Sequence, residues 1–242
     1  MKDRVLPRKP VVLSESTQRR LGMYALAATA GGIGTGAFCS PAEAKVVYTP
    51  THHVIRGNSY FAVDLNHDRI WDFSIINSAY RVSHTSVNFV GAKGNDSVYG
   101  GVAGAFRSPD TFSALALKRG ARIAGAQRFY SRGVMAGQCA NNTGISTFPC
   151  SGLSHNTAGK WVNVNDRYLG LSFTIHGKNH YGWARLNVKV SKDKFRITAI
   201  LTGYAYETVP NKPIIAGKTK GQDVITMPMD TGTVGHLALG RK

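Results

Sequence analysis

Apolar and polar residues alternate most regularly over residues 168–207. Leu169, Leu171, Phe173 and Ile175 alternate with Tyr168, Gly170, Ser172, Thr174 and His176, so the apolar set shares one face of a strand. Gly177, Lys178 and Asn179 supply a turn, because glycine adopts the positive φ that a tight hairpin needs. In a second strand Gly182, Ala184, Leu186, Val188 and Val190 alternate with Tyr181, Trp183, Arg185, Asn187 and Lys189. A turn at 191–194 leads to a third, where Phe195, Ile197, Ala199, Leu201 and Gly203 oppose Arg196, Thr198, Ile200, Thr202, Tyr204 and Tyr206. A hairpin centred on Lys192 and Asp193 sets Val190 opposite Phe195, Val188 opposite Ile197, Tyr181 opposite Tyr204 and Trp183 opposite Thr202.

One face of this meander closes a core. The other carries Tyr181, Trp183, Tyr204 and Tyr206 beside Arg185 and Arg196. Such a face either packs beneath a second layer or stands open as a stacking platform for a flat ligand such as a sugar ring.

Upstream, residues 46–55 read as a leading strand interrupted by Pro50, which suits an edge position. Between two apolar runs, Asp64, Asn66, Asp68 and Asp72 place oxygen at alternate positions, and Ile70 can offer its carbonyl. Hard cations such as Ca²⁺ are wrapped in this way. Arg69 stands where glycine would supply φ > 0, and Ile75 where an EF-hand has glutamate. The metal-free alternative is a polar hairpin turn with Asx-type hydrogen bonds. Residues 77–90 predict another strand pair, 91–104 a flexible glycine-rich loop without the ending of a phosphate loop, and 112–117 a short helix. The expected fold is all-β: a single antiparallel β-sandwich, jelly-roll-like, with long loops and at most one short helix, spanning 45–223 and followed by a flexible tail at 224–242.

Residues 1–44 have a basic start, an apolar small-residue run and an Ala-x-Ala site at Ala42–Ala44, so they read as a signal peptide with Lys45 as the mature start. The Arg19-Arg20 pair is a weak twin-arginine signal. The reading places the mature chain outside the cell, in the periplasm or at the cell surface. No later apolar run approaches the ~20 residues that span a bilayer. Residues 45–242 hold 24 basic and 10 acidic side chains, a formal charge of +14. That favours an anionic partner, a polysaccharide or another cell-envelope anion, with no motif for specific nucleic-acid readout. The densest basic run is Lys118, Arg119, Arg122, Arg128 and Arg132. Export puts Cys139 and Cys150 in an oxidising space, where a disulfide closing a short loop is the favoured reading.

The stretches RRLGMYALAATAGG, PAEAK, VDLNHDRIWDF, YLGLSFTIHGKNHYGWARLNV and LTGYAYETVPNKPIIAG resemble those of a group of exported bacterial β-proteins with no assigned activity. The Asp loop is similar to the Asp-x-Asn-x-Asp-Gly-x-x-Asp loops that join strands in many secreted bacterial proteins. The resemblance implies export and a β-sandwich; it implies no reaction.

For glycosidase chemistry two carboxylates must flank a bond, and the mature chain has one glutamate, Glu207. No His-Glu-x-x-His or Gly-x-Ser-x-Gly spacing occurs. The expectation is therefore a non-catalytic secreted β-domain binding a glycan through Tyr181, Trp183, Arg185, Arg196, Tyr204 and Tyr206, with a calcium-stabilised loop. The alternatives are a polysaccharide-active enzyme using Glu207 and a purely structural envelope or matrix protein.

Overall fold

Strand follows strand with little else between, as the alternation predicts. The computed structural model describes residues 45–82, 85–108, 111–140, 146–147, 150–151, 155–191 and 195–229. The proposed leader, and the tail beyond residue 229, lie outside the described residues. The strands are β1 (Val46–Ile55), β2 (Ser59–Val63), β3 (Phe73–Val82), β4 (Thr85–Gly94), β5 (Gly101–Ser108), β6 (Thr111–Ala114), β7 (Arg122–Ile123), β8 (Phe129–Tyr130) and β9 (Arg132–Ala140). They continue with β10 (Ser146–Thr147), β11 (Cys150–Ser151), β12 (His155–Ala158), β13 (Val164–Ile175), β14 (Lys178–Ser191), β15 (Arg196–Glu207), β16 (Ile214–Ile215) and β17 (Val224–Thr226).

Thirteen strands form one sheet in the order β17-β1-β15-β14-β13-β5-β6-β9-β4-β3-β2, with β12 beside β9 and β8 beside β5. Pairs β10–β11 and β7–β16 stand apart. The all-β, mostly antiparallel expectation holds, and the hydrogen bonding runs through one sheet. That sheet curls where its joints are short. β13 meets β5 only at Leu171–Val102 and Ser172–Gly101, and β6 meets β9 only at Ser113–Val134. With few ladder bonds to hold them flat, the two halves turn to face each other over a shared core of Ile55, Leu65, Phe73, Ile75, Leu169, Phe173 and Leu186. Side-chain amides stitch the halves: Asn77 Nδ2 donates to the Ile197 carbonyl (2.8 Å) and Gln138 Nε2 to that of Ser191 (3.0 Å).

The central meander forms as β13, β14 and β15. Its first turn is tighter than predicted: Ile175 pairs with Lys178, leaving only His176 (φ 49°) and Gly177 (φ 75°) in the loop. Two positive φ values in succession give the twist that two-residue hairpins favour. In the second hairpin Val190 pairs with Ile197 and Val188 with Ala199, two residues from the predicted register with parity kept. Parity then breaks. Leu186 pairs with Leu201 but Arg185 with Gly203, so Thr202 is an extra residue in β15. Beyond this bulge each side chain of β15 changes face. Arg185 braces the bulge: its Nε donates to Thr202 Oγ1 (2.7 Å), its Nη2 to the Thr202 carbonyl (3.0 Å).

A second apolar cluster covers the other face of the meander. Val46, Tyr48, Tyr168, Tyr181, Trp183 and Ala205 pack there beneath Ile123, Ile214 and Ala216, carried by and next to the small β7–β16 sheet. Around Trp183 the meander is thus buried on both sides.

Other expectations change. The short helix expected at 112–117 is strand β6 followed by extended chain; among the described residues the helical element is a single 3₁₀ turn, Asp96–Val98. Much of the expected glycine-rich loop is strand, at the end of β4 and in β5. The sheet runs past residue 223, since β17 pairs in parallel with Val46–Tyr48. Because β17 stops there, β1 is an edge at Pro50, where its missing N–H breaks no ladder bond.

Candidate functional site

The predicted aromatic platform is interior packing. Trp183 is 0% exposed and Tyr204 2%, and the bulge places them in different clusters on opposite faces. Tyr181 is buried with Trp183. Arg185 is occupied with the bulge, and Arg196 lies at the far end of β15, opposite Ser191. The second layer that covers this face has no long alternating strand, so its presence could not be read from periodicity.

Tyr204 and Tyr206 instead lean toward the Asp loop. His67 Nε2 lies 2.8 Å from Thr49 Oγ1, and the His67 ring is 6.1 Å from that of Tyr204. Tyr206 packs edge-on against Phe173 at 5.8 Å. Its hydroxyl pKa is pushed up to about 12, first by burial and then by the charges of Asp72, Asp64 and Asp68.

The loop itself is wound by its carboxylates. Asp72 N–H donates to the Val63 carbonyl (2.8 Å) and closes the base. Asp64 Oδ1 accepts from Asp68 N–H (3.2 Å) and its Oδ2 from Arg69 N–H (2.8 Å). Asp68 Oδ1 accepts from Ile70 N–H (2.8 Å), and Asp72 Oδ2 accepts from the Leu65 N–H (2.6 Å). Leu65, fully buried in the core, anchors this turn. Arg69 takes φ 73°, the conformation for which glycine is the easy residue. Burial pushes the Asp72 carboxyl up to about 7, and the charges of Asp64 and Asp68 add to the effect. Asp64 is also raised, chiefly by burial. Among the described residues these aspartates have no ion-pair partner, and no three His, Cys, Asp or Glu side chains stand close enough to hold a metal as they are placed. A cation here would draw on the Asn66 amide oxygen and the Ile70 carbonyl as well, an all-oxygen set suited to a hard ion.

Sequence reasoning missed the outer face of β2, β3, β4 and β9. Tyr60 and Ala62 pair with Ile76 and Ser74, Ile76 and Ser74 with Gly91 and Lys93, and those with Val134 and Arg132. Paired residues share a face, so these eight form two rows across four strands. Tyr60, Ala62, Trp71, Ser74 and Ile76 line a hollow of about 340 Å³. Ile76 is shared with a second hollow of about 190 Å³, lined by Phe89, Gly91, Lys93, Arg132 and Val134 among others. The available signal was parity: Tyr60 and Ala62 oppose the buried Phe61 and Val63.

Glu207 is a structural side chain. It is 3% exposed, its Oε1 accepts from Val209 N–H (3.1 Å), and Lys212 lies 3.6 Å from Oε2. His180 is buried against it, with Nδ1 2.9 Å from the Glu207 carbonyl. The Glu207 carboxylate is thus engaged by Val209 and Lys212 within the fold. Among the described residues no helix is long and apolar enough to cross a membrane. Comparison with protein-family models, curated proteins and solved structures gives no match for this chain.

Proposed function

We propose that the chain is an exported, non-catalytic β-domain that holds an extracellular or cell-surface glycan and uses Ca²⁺ to fix its Asp loop. The observation that carries the calcium part is the gathering of Asp64, Asp68 and Asp72 in one loop, with Asp72 only 1% exposed and no cationic side chain paired with any of them among the described residues. A bound cation would offset their mutual repulsion and the cost of burying Asp72. Its role is to stiffen the hairpin between β2 and β3.

The test is a set of thermal melts on the purified protein. The folded chain holds the Asp72 proton more tightly than the unfolded one, since its carboxyl is raised from 3.8 to about 7. Its stabilising effect is therefore full below the ordinary value and is lost as pH rises toward the folded value. In EDTA the melting temperature is expected to fall from about pH 4 to about pH 7 and to level off above that, and Asp72→Asn to remove the slope. Calcium favours the ionised form and should reverse the trend. At a hundredfold excess over Kd it adds about 2.7 kcal/mol, or roughly 5–10 °C for a domain of this size. Asp68→Ala should abolish the gain. A calcium-independent melting temperature in both proteins at pH 8 removes the metal from the reading.

The proposal includes a Cys139–Cys150 disulfide. From Cys150 in β11 the chain passes into β12, which pairs with β9 so that Asn156 lies opposite Cys139. The tie would contribute about 2–3 kcal/mol through loop closure. Alkylation of the oxidised, denatured protein should leave both thiols unlabelled until reduction; prompt labelling of both would remove the bridge.

A further inference from the structure

We infer that the outer face of β2, β3, β4 and β9 is a groove for an acidic polysaccharide, lying across the four strands with Trp71 and Tyr60 stacked on sugar rings and Lys93 and Arg132 facing its carboxylates. The inference rests on the glycan-binding reading and gives it a place and a ligand class.

Four features carry it. First, the aromatics here are open: Tyr60 is 70% exposed and Trp71 39%, whereas Trp161 and Trp183 are 0%. Second, the backbone that carries Trp71 is held in place before any ligand arrives. Asn95 Nδ2 donates to the Trp71 carbonyl (2.6 Å), and Asn95 N–H donates to the next carbonyl, that of Asp72 (2.7 Å). A fixed backbone removes part of the ordering cost of binding. Third, the floor is low. Ala62, Ser74 and Gly91 keep the floor low on either side of the half-buried Ile76, and a Cβ at Gly91 would press within 3.2 Å of the Gly133 carbonyl oxygen. At the usual strand spacing the rows run about 14 Å from β2 to β9, room for several rings in line. Fourth, two cations stand side by side at the far end. Lys93 is opposite Arg132, and the acid beside them is Asp96, 3.5 Å from Lys93 and largely exposed.

An open groove with flat apolar stations and spaced cations suits a linear polymer with repeated carboxylates better than a small molecule, which would leave most of its surface in water. The sugar ring offers an apolar face to Trp71 while its hydroxyls stay wet, and the lysine and arginine select for charge.

The experiment is native affinity electrophoresis of the protein in gels containing polygalacturonate, dextran or single-stranded DNA, at several salt concentrations. Polygalacturonate should retard the protein and dextran should not. Trp71→Ala and Tyr60→Ala should each weaken retardation on the order of tenfold. Lys93→Ala with Arg132→Ala should weaken it and flatten its salt dependence. Iodide quenching gives an independent readout. Of the three tryptophans only Trp71 is reachable from solvent, so polygalacturonate should protect the quenchable fraction and Trp71→Ala should abolish that fraction. These exposed variants should melt as the parent does, which separates lost binding from lost fold. Retardation untouched by Trp71→Ala and Tyr60→Ala would overturn the groove while leaving glycan binding in place. No retardation of the parent by either polysaccharide would overturn the glycan reading and the groove with it. Equal retardation by DNA that vanishes in Trp71→Ala would reassign the groove to nucleic acid and overturn the ligand class.

Discussion

Replacing Trp183 with alanine is expected to cost roughly 3–5 kcal/mol of folding stability, the range for a fully buried large aromatic. Its indole lies 5.2 Å from the Tyr168 ring, edge to face at 83°, and 5.7 Å from that of Tyr48. Removing it opens a void between the meander and the β7–β16 layer, and Ile123, Ile214 and Ala216 have no way to fill that void without moving strands. For a domain of this size the loss corresponds to a fall of roughly 6–20 °C in melting temperature. Trp183→Phe should cost much less. Among the described residues the indole N–H has no hydrogen-bond partner, so the phenyl ring gives up volume but no bond. Denaturant unfolding of the two variants decides the matter. A loss within about 0.5 kcal/mol for Trp183→Ala, the range of an exposed substitution, would return the ring to the surface and revive the platform read from the sequence.

Gly94→Ala is expected to be equally damaging for a different reason. A Cβ at Gly94 would sit 2.0 Å from the Gly100 carbonyl oxygen and 2.3 Å from its carbonyl carbon, backbone atoms with no rotamer to escape into. The turn from β4 into β5 must then open, at a cost of about 3 kcal/mol or more. Asn95 follows immediately, and it holds the carbonyls of Trp71 and Asp72. The variant should therefore lose stability together with the ordered Trp71 station and the calcium response of the Asp loop. Gly57→Ala is the control, since nothing lies within 4 Å of the added methyl, and it should change stability by less than about 0.5 kcal/mol. An unfolding curve for Gly94→Ala that overlays the parent would mean the turn is looser than drawn.

The strands of the meander and the carboxylate pattern of residues 64–72 were legible because each is local. Period two and oxygen spacing survive whatever the rest of the chain does. What escaped was non-local. Thr202 has no signature as a bulge; it is one residue in a regular run, yet it moves Tyr204 across the sheet from Trp183. The layer over Trp183 comes from two-residue strands, Phe129 of β8 among them, and loop residues such as Leu117 and Ala121, too short to carry a period. Tyr60 and Trp71 escaped for a third reason. Tyr60 sits just before the carboxylates and Trp71 among them, and attention to the oxygen spacing reads Trp71 as filler between Ile70 and Asp72.

The position of β1 has a kinetic consequence. Its register partners are Glu207 through Ala199 on one side and Val224 through Thr226 on the other. The earliest strand of the domain therefore finds its neighbours only among the last ones made. Until residue 226 is free to pair, Val46 and Tyr48 lack the strand beside them. Pairings this distant in sequence carry a large loop-closure cost, which slows completion of the sheet relative to a fold built from local contacts. A chain made from its N-terminus therefore holds β1 without a hydrogen-bonded neighbour until residues 199–207 are available, and without its second until 224–226 are.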